Sequence, residues 1–365
     1  MSDFSGMEAE DLPRRKFRLY VVNTGSTSTK LGIFENNTFP FREVIRHPAE
    51  QLAAWGTVAG QYEYRLGLAR SWFGERARSC DAVVAAGGLF KPVGGGTYRV
   101  NAAMREDARS DAREAHASNL GCLIADSLAS DYSCPAFVVD PVSVDEFEPV
   151  ARYSGHPLIP RSSLSHALNI HEAARRAARD LQIPPGRSSF VVAHMGGGIS
   201  VAPVRGGRII DVNDAASEGP FSPERSGGLP LQQFIGLCMS GEYREEELRR
   251  MVMGAGGLVA YLGTNDADEV EMRIAGGDVQ AAEVYGAMGY QVAKEIGAMA
   301  TVLGGIIDGI VLTGGLSSSA MLTRWISRRV GYIARILVYA GEMEMEALAG
   351  GALRVLGGEE KEKVY

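Results

Sequence analysis

Short apolar runs separated by glycine-rich turns dominate the beginning of the chain. The run RLYVVN at 18–23 is short, β-branched and aromatic, which predicts a buried strand. The turn TGSTST and the run KLGIFEN follow at once, so we expect a hairpin with a hydroxyl-rich tip. A strand after the glycine distinguishes this segment from a P-loop, whose glycines lead into a helix N-terminus.

The same pattern recurs after residue 187. FVVAH at 190–194 predicts a strand, MGGG a glycine turn, ISVAPV a second strand, RGG a tight turn and RIIDV a third strand. A further glycine turn ends the apolar run GIVLTGG at 309–315. Two similar halves predict a duplicated architecture with a site in the cleft between them.

Apolar positions with helical spacing lie between these strands. The segment 281–303 repeats them every three or four residues, which predicts a helix with its apolar stripe in the core. The stripe consists of Val284, Met288, Val292, Ile296, Met299 and Leu303. A shorter helix with a basic outer face is predicted over 173–180. Strands that alternate with helices indicate an α/β fold.

The composition excludes several classes of protein. The chain has 365 residues, too many for one ordinary core, so two domains are expected. Hydrophobic residues make up 45% and charged residues 22%, which excludes a disordered chain and a coiled coil. The net charge is −7, from 37 basic and 44 acidic side chains, so no global positive field attracts nucleic acid.

The surroundings of the protein can also be predicted. No apolar run approaches the roughly 20 residues of a membrane span. The four cysteines lack Cys-x-x-Cys spacing, so we expect a reducing compartment and a cytoplasmic location. Residues 1–16 lack an apolar stretch and carry acids before bases, which predicts a loose polar extension and not a signal peptide.

The first turn, within NTGSTSTK, is rich in groups that bind phosphate. The backbone N–H of Gly25, the hydroxyls of Ser26 and Ser28 and the ammonium of Lys30 are all suitable donors. The alternative is an ordinary solvated hairpin turn. Because two more glycine turns follow apolar strands, we favour phosphate binding.

Three histidines occur in notable settings. His194 ends an apolar strand directly before the second glycine turn, and His116 and His166 lie in AHASN and SHALN. For each of them a hydrogen-bonded structural role is the alternative. That structural role is the only one expected for His47, His156 and His171. No His-x-x-x-His or Glu-linked pair occurs, so a zinc site is not expected.

One acid and one arginine complete the candidates. Asp140 follows the run PAFVV, at the carboxyl end of a predicted strand, where it could hold Mg²⁺ or orient a reactant. Its alternative role is to cap a following helix. Arg225 lies in GPFSPERSGG, a rigid loop from which a guanidinium could stabilise transferring phosphate charge. A surface salt bridge is its alternative.

Many segments together carry a family resemblance. They run in order from residue 21 to about 356: VVNTGSTSTKLGIFE, GGLFKPVGGGTYRVN, EAHASNLG, FVVDPVSVDE, HALN, VAHMGGGISV, DVNDA, EGPFSPERSGGLP, GGLVAYLGTND, AKEIGAMATVL, LTGG and GEMEMEALAGGALRVL. The chain resembles the butyrate kinases, which belong with acetate and propionate kinases to the acetokinase family. The resemblance implies reversible, Mg²⁺-dependent phosphoryl transfer between ATP and a short-chain carboxylate.

The resemblance also implies an architecture. It is a duplicated, two-domain α/β fold like that of actin and the sugar kinases, with the nucleotide in the cleft between the domains. The N-terminal domain would cover 17–150 and be completed by a C-terminal helix at 345–360. The nucleotide-binding domain would cover 151–344. A homodimer or larger homo-oligomer is implied as well.

Roles for individual residues follow by motif. Catalysis is implied for Asp140, His166, His194 and Arg225. Acid binding is implied for His116 and Arg225, and metal binding for Asp140 and Glu344. ATP or ADP binding is implied for Asn23, Ser26, Ser28, Lys30, Asp211, Asn213, Gly196, Gly197, Gly198, Gly314 and Gly315.

The chain departs from the family pattern at three places. Ala85-Ala86-Gly87-Gly88 stands where butyrate kinases usually have Gly-Arg-Gly-Gly, Thr24 replaces a proline, and Ser165 replaces a phenylalanine. The lost arginine matters most, because its counterpart in acetate kinase helps to bind the acid. Two alternatives therefore stay open. The chain could be a kinase for a propionate-type or branched acid, or a nucleotide-binding protein that has lost catalysis.

Overall fold

The computed structural model describes residues 16–35, 37–76, 79–110 and 116–365. Apart from Lys16, the extension predicted for residues 1–16 lies outside the described residues. The described chain is built around two β-sheets, one of seven strands and one of five. None of the described helices is both long and apolar enough to cross a bilayer.

The first sheet contains the predicted N-terminal hairpin. Its strands are β1 Arg18–Thr24, β2 Ser28–Glu35, β3 Thr38–Arg46, β4 Ala82–Ala86, β5 Thr97–Arg99, β6 Ala136–Val139 and β12 Lys363–Val364. Their order across the sheet is β12-β5-β6-β4-β1-β2-β3. β1 pairs antiparallel with β2 on one side and parallel with β4 on the other. The hydroxyl-rich turn predicted between the first two strands is therefore confirmed.

The second sheet repeats this arrangement. Its strands are β7 Ser189–Met195, β8 Ile199–Arg205, β9 Arg208–Ile209, β10 Gly309–Gly314 and β11 Ile336–Ala340, in the order β11-β10-β7-β8-β9. β7 pairs antiparallel with β8 and parallel with β10, as β1 does with β2 and β4. The third strand is shorter than predicted. It ends at Ile209. Beyond that residue, the Val201 N–H of β8 donates to the Asn213 side chain and not to a strand backbone.

Twelve helices surround the sheets in the described chain. They are α1 Ala49–Ala53, α2 Tyr62–Arg76, α3 Ala102–Arg109, α4 Asn119–Tyr132, α5 Ala167–Asp180, α6 Leu231–Met239, α7 Glu245–Val252, α8 Gly257–Leu262, α9 Ala267–Ala275, α10 Val279–Val302, α11 Ala320–Val330 and α12 Glu344–Leu356. The helix predicted at 281–303 corresponds to α10. Asp278 caps its N-terminus by accepting a hydrogen bond from the Ala281 N–H, and the predicted stripe packs in the core.

Alternation along the central strands places helices on both faces of each sheet. In β1, Tyr20 and Val22 pack towards α4, whereas Leu19 and Val21 pack towards α12. In β7 the alternating side chains pack towards α10 on one face and α5 on the other. α5 and α12 also contact each other, so they form the layer between the two sheets.

Candidate active site

The first turn (25–27) joins β1 to β2 and faces outward. The Gly25 N–H donates to the Ser28 carbonyl over 2.8 Å, which closes the turn. Ser26 is exposed and Ser28 is half-buried, so both hydroxyls can be reached from solvent. The turn thus presents the hydroxyl donors that the sequence assigns to phosphate.

Two carboxylates surround the lysine that follows this turn. Lys30 Nζ lies 3.0 Å from Glu344 Oε2 and also forms an ion pair with Glu342. Asn23 Nδ2 donates to the same Glu344 oxygen over 2.6 Å. Burial acts to lower the pKa of Lys30, but the charges of Glu344 and Glu342 outweigh it and raise this pKa above its ordinary value. The predicted residues Asn23, Lys30 and Glu344 therefore form one cluster. Lys30 and Glu344 also line a cavity of about 430 Å³ beside β2.

The second turn (196–198) lies against two stacked histidines. The rings of His166 and His194 have centroids 4.0 Å apart and planes inclined by 17°. His166 Nδ1 is 2.8 Å from the Ser200 hydroxyl, whereas the buried Nδ1 of His194 has no partner. Burial lowers the pKa of His194 to about 4, aided by the charge of Arg225 and opposed by that of Glu342. Burial also lowers the pKa of His166 well below its usual range, so both rings are neutral at pH 7.

Arg225 packs directly on the second turn. A Cβ atom at Gly198 would lie 2.5 Å from Arg225 Nη1, so only glycine leaves room for the guanidinium. Nη1 donates to the Ala215 carbonyl over 3.0 Å, while the buried Nε has no partner. The Ser222 hydroxyl accepts from the Arg225 N–H and fixes the loop. A buried, unpaired cationic donor of this kind is suited to an anionic ligand.

Glu342 lies where the two turns meet. It forms an ion pair with Lys30 of the first hairpin, and its charge is close enough to act on His194 of the second. Through Glu342, the structure therefore links Lys30 of the first hairpin to His194 of the second. The third glycine turn joins them, because a Cβ at Gly314 would lie 2.4 Å from the Met195 carbonyl oxygen. Gly315 borders open space.

Asp140 lies in a buried ionic cluster and does not reach into open space. Its Oδ1 accepts from the Gly96 N–H over 2.6 Å and lies 3.0 Å from His171 Nδ1. Burial alone would raise the pKa of Asp140, but His171 and Arg175 lower it below its usual range. In turn, Asp140 and Glu146 outweigh burial and raise the pKa of His171 to about 9. The catalytic role predicted for Asp140 stays a prediction.

Asp211 and Asn213 act as internal braces. Asp211 Oδ1 accepts from Arg161 Nη1 over 2.9 Å. Asn213 Oδ1 accepts from the Val201 N–H over 2.7 Å, and its Nδ2 donates to the Ile199 carbonyl over 2.9 Å. These bonds hold the backbone beside the second turn. Nucleotide contact by either side chain stays a prediction.

His116 precedes α4, and Ala86 ends β4, the strand on which α4 packs. His116 Nδ1 is 2.5 Å from the Ser118 hydroxyl. Asn119 Oδ1 accepts from the Leu89 N–H over 2.8 Å and so ties this helix to the loop after β4. Ala86 is the last residue of β4 and only 9% exposed, with its methyl group in the core beneath α12. Acid binding by His116 stays a prediction.

The metal predicted from the resemblance needs oxygen ligands. Glu344 and the amide oxygen of Asn23 supply such atoms at the cleft, whereas Asp140 would first have to leave His171 and Gly96. Within the described ranges, no group of three or more His, Cys, Asp or Glu side chains is arranged to hold a metal. The oxygen atoms of Glu344 and Asn23 fit the ligand chemistry of Mg²⁺, and metal binding by Glu344 and Asp140 stays a prediction.

Sequence reasoning missed two charged groups at this site. Nothing in the sequence distinguishes Glu342 from the other acids of GEMEME. Arg65 lies behind the first turn, but its sequence context QYEYRLG shows only an ordinary helix. Neither residue stands in a motif whose spacing predicts the contact.

Comparisons with known proteins agree with this arrangement. The model of the acetokinase family matches residues 165–332. A protein named Probable butyrate kinase 2, from Caldanaerobacter subterraneus subsp. tengcongensis, is 49% identical over 352 residues, covering 96% of this chain and 99% of the relative. Butyrate kinase 2 of Clostridium acetobutylicum is 46% identical over 354 residues, with the same coverage.

Solved structures support the predicted fold. Porphyromonas gingivalis acetate kinase superimposes with a TM-score of 0.76 at 16% identity, covering 93% of this chain and 100% of that one. A ROK family protein from Streptococcus pneumoniae TIGR4, in complex with sucrose, gives 0.51 at 13% identity, covering 93% and 99%. The predicted fold class and the resemblance to butyrate kinases are confirmed. The chain belongs to the acetokinase family, because relatives named butyrate kinase are 49% and 46% identical to it over 96% of its length.

Proposed function

We propose that the chain transfers the γ-phosphoryl group of ATP to a short-chain carboxylate, reversibly, and forms an acyl phosphate and ADP. The relatives named butyrate kinase support butyrate as the acid. The observation that carries the proposal is the setting of Arg225. Its guanidinium lies on the second glycine turn with an unpaired buried Nε, in a cleft that also contains two neutral histidines.

The chemistry requires no covalent enzyme intermediate. A carboxylate oxygen attacks the γ-phosphorus while the bond to the departing ADP oxygen breaks, so the phosphoryl group passes directly between them. Since both reactants are anions, the main barrier is electrostatic. Arg225 would offset this repulsion and stabilise the equatorial phosphoryl oxygens, which gather charge in the transition state.

The neutral histidines would add hydrogen bonds without competing with Arg225. A neutral imidazole offers one N–H donor and one acceptor. The buried Nδ1 of His194 has no partner and is free to form such a hydrogen bond. Ser200 orients the His166 ring, which stacks on the His194 ring. We assign His194 to a phosphoryl oxygen and His166 to holding the His194 ring in place.

The nucleotide would lie across the glycine turns. Ser26, Ser28 and Lys30 would contact its phosphates from one side, and the turns at 196–198 and 314–315 from the other. Glu344 with Asn23 would hold Mg²⁺, which neutralises phosphate charge when it is bound. Lys30 would then exchange a carboxylate partner for a phosphate oxygen.

Acid selection is expected to be broad. An apolar pocket distinguishes acids that differ by one methylene by only about 1–3 kcal/mol. Propionate-type and branched acids are therefore alternative substrates for the same reaction. A chain that binds nucleotide and has lost catalysis is the other alternative, and Ala86 in place of the family arginine is the observation behind it.

The surroundings proposed for the chain are a reducing cytoplasm and a homodimer or larger homo-oligomer. No pair of the four cysteines has Cys-x-x-Cys spacing, which supports a reducing compartment. α6 has no buried residue, and Leu231, Ile235 and Met239 are exposed along it, which supports cover by a second copy. Light scattering on a size-exclusion column would test the assembly.

The reaction can be tested by trapping its product. The purified chain is incubated with ATP, Mg²⁺ and one acid from a panel of straight and branched C2 to C5 carboxylates, and acyl phosphate is trapped as hydroxamate. We expect product with butyrate and with neighbouring acids, and none when Mg²⁺ is chelated. ATP binding without hydroxamate from any acid would reject the kinase and favour the nucleotide-binding alternative.

A further inference from the structure

Arg65 is a fully buried arginine behind the first turn. It projects from α2 and has no exposed surface. Its Nη1 donates to the carbonyls of Gly25 and Ser28 over 3.0 and 3.1 Å. Its Nη2 donates to the Ser26 carbonyl over 3.3 Å. One guanidinium therefore binds three carbonyls within four consecutive residues.

The remaining partners of Arg65 are neutral as well. Nη1 also donates to the Thr29 hydroxyl over 3.0 Å, and Nε and Nη2 donate to Gln61 Oε1 over 3.1 and 2.9 Å. Among the described residues, no Asp or Glu forms an ion pair with this guanidinium. Burial lowers the pKa of Arg65, yet arginine remains protonated in proteins. A positive charge is thus buried behind the turn with only neutral oxygens around it.

Such a charge is costly to bury unless something compensates for it. Most buried arginines have a carboxylate partner, and here its place is taken by carbonyl dipoles. A carbonyl and the following N–H point in opposite directions across a planar peptide. With the Gly25 and Ser26 carbonyls turned inward, the N–H groups of Ser26 and Thr27 point outward. Two neighbouring outward N–H groups are donors suited to an anion.

The groups around Arg65 bring no second charge to the turn. Thr29 Oγ1 is 2.9 Å from His47 Nε2, and His47 Nδ1 is 3.1 Å from the Tyr64 hydroxyl. Burial and the charge of Arg65 both lower the pKa of His47. The imidazole is therefore neutral, and Arg65 is the charge that this network holds beneath the turn.

We infer that Arg65 is a positioning residue for nucleotide phosphates: it turns the N–H groups of the first turn outward and adds a buried positive charge behind them. The inference rests on the proposed binding of nucleotide by this turn. Its distinguishing consequence is that the contribution of Arg65 depends on the phosphate groups of the ligand and is absent for the nucleoside alone.

The test measures ADP and adenosine binding to the full chain by calorimetry and by competition, for wild type and for Arg65→Gln, Arg65→Lys and Arg65→Met. We expect the Gln and Met variants to weaken ADP binding at least ~10-fold, because a charge-assisted contribution is lost. Adenosine affinity should stay within ~2-fold. The Lys variant, which keeps the charge but not the planar fork, should recover part of the ADP affinity.

Two further variants serve as controls. Arg105→Gln removes a partly exposed arginine that is paired with Asp126 on neighbouring helices, and it should leave ADP binding unchanged. Gln61→Met removes the oxygen that fixes Nε and Nη2, and should weaken ADP binding by ~2- to 5-fold. If the Arg65 variants fail to fold, the ADP affinity of Gln61→Met tests the inference in their place.

The outcomes are distinct. Folded Arg65→Gln with wild-type ADP affinity, or equal losses for ADP and adenosine, would overturn the inference. So would wild-type ADP affinity in Gln61→Met when the Arg65 variants do not fold. A wild type that binds ADP through Arg65 but forms no acyl phosphate would reject only the proposed reaction. A wild type that binds no ADP would reject both.

Discussion

The first turn (25–27) and the second turn (196–198) join strands that pair in the same way, but different side chains surround them. Each joins an antiparallel hairpin whose first strand also pairs with a parallel strand. Behind the first turn lies the guanidinium of Arg65. Two stacked neutral imidazoles lie beside the second turn, and the guanidinium of Arg225 packs on Gly198 in that turn.

This difference indicates which part of a duplicated fold can change. The hairpin and its parallel neighbour are fixed by strand pairing and by helices on both faces, so both halves retain them. The side chains around the turns are instead determined by the ligand that each turn binds. We interpret the first turn as a site that holds phosphate and the second as the site where the phosphoryl group moves.

The electrostatics of the two turns agree with that division. Lys30 in the first hairpin forms ion pairs with Glu342 and Glu344. In the proposed function, a metal-bound nucleotide would exchange partners with this set. Around the second turn, His166 and His194 are neutral. Arg225 can therefore act on the transferring group without a competing positive charge from either ring.

The largest effect is expected from Arg225→Lys. A lysine keeps the charge but loses the planar fork that lies on Gly198, so we expect kcat to fall at least ~10²-fold while the chain folds normally. Steady-state hydroxamate kinetics with butyrate, together with a thermal melt, would measure both. Turnover near that of wild type would remove Arg225 from the second-turn chemistry.

A stability measurement against pH tests the neutral state of His194. An unfolded histidine titrates near pH 6.5, whereas the pKa of folded His194 is lowered to about 4. Between these values the unfolded chain binds more protons, so the free energy of unfolding falls as pH falls from 6.5 to 4. We expect the titration of His194 to account for about 2–3 kcal/mol of this fall in the free energy of unfolding.

The comparison variant for this measurement is His194→Gln, followed by urea unfolding from pH 7 to pH 4. We expect the variant to lose less stability over that range than wild type. The first hairpin provides the contrast, since the raised pKa of Lys30 affects stability only in alkaline solution. Identical pH profiles for variant and wild type would show that His194 is not held neutral by folding.

The hairpins and the central helix could be predicted from sequence because their signals are local. Alternating apolar residues and a glycine turn identify β1 and β2, and a stripe at intervals of three and four identifies α10. The length of β9 could not be predicted, since the sequence does not show that the Val201 N–H of β8 donates to the Asn213 side chain.

The site was predictable only where a motif and a contact coincide. Asn23, Lys30 and Glu344, which the resemblance assigns to the site, lie together, and their roles stay predictions. The partners of Asp140 were not foreseen, because His171 comes from α5, which the fold places between the two sheets. Arg65 was not foreseen for a related reason: its partners are backbone carbonyls, and carbonyls carry no sequence signal.

Alanine at one glycine of each turn would compare the two turns. At Gly198 a Cβ would lie 2.5 Å from Arg225 Nη1, whereas at Gly25 the nearest atom outside its chain neighbours is 3.6 Å away. Gly198→Ala should therefore displace the guanidinium and lower kcat by ~30-fold. Gly25→Ala should change kcat and the KM for ATP by less than ~3-fold. Equal losses in the two variants would contradict the different roles assigned to the turns.

Removal of both hydroxyls tests the ligand of the first turn. Hydrogen bonds from Ser26 and Ser28 to charged phosphate should contribute about 1–3 kcal/mol. We expect the double alanine variant to raise the KM for ATP by about tenfold and to leave the KM for butyrate within ~3-fold. A larger change for butyrate than for ATP would place the acid, and not the nucleotide, at this turn.

The smallest effect is expected from restoring the family arginine. Ala86 ends β4 next to the first turn, and its methyl group packs beneath α12 with 9% exposure. An arginine there would have to bury its stem in that core and extend its head into the cleft, as long cationic side chains can. If the acid lacks a cation at this position, Ala86→Arg should raise kcat/KM for butyrate by about fivefold to tenfold and leave ATP affinity unchanged.

Ala86→Met separates charge from bulk in that experiment, because it has a similar length without a guanidinium. We expect the methionine variant to match wild type in kcat/KM or to fall slightly below it. If both variants fold and neither improves the acid kinetics, the cleft already supplies the missing cation or takes a different acid. In that outcome, a residue outside both turns would determine acid binding, in addition to the phosphate-holding first turn and the reactive second turn.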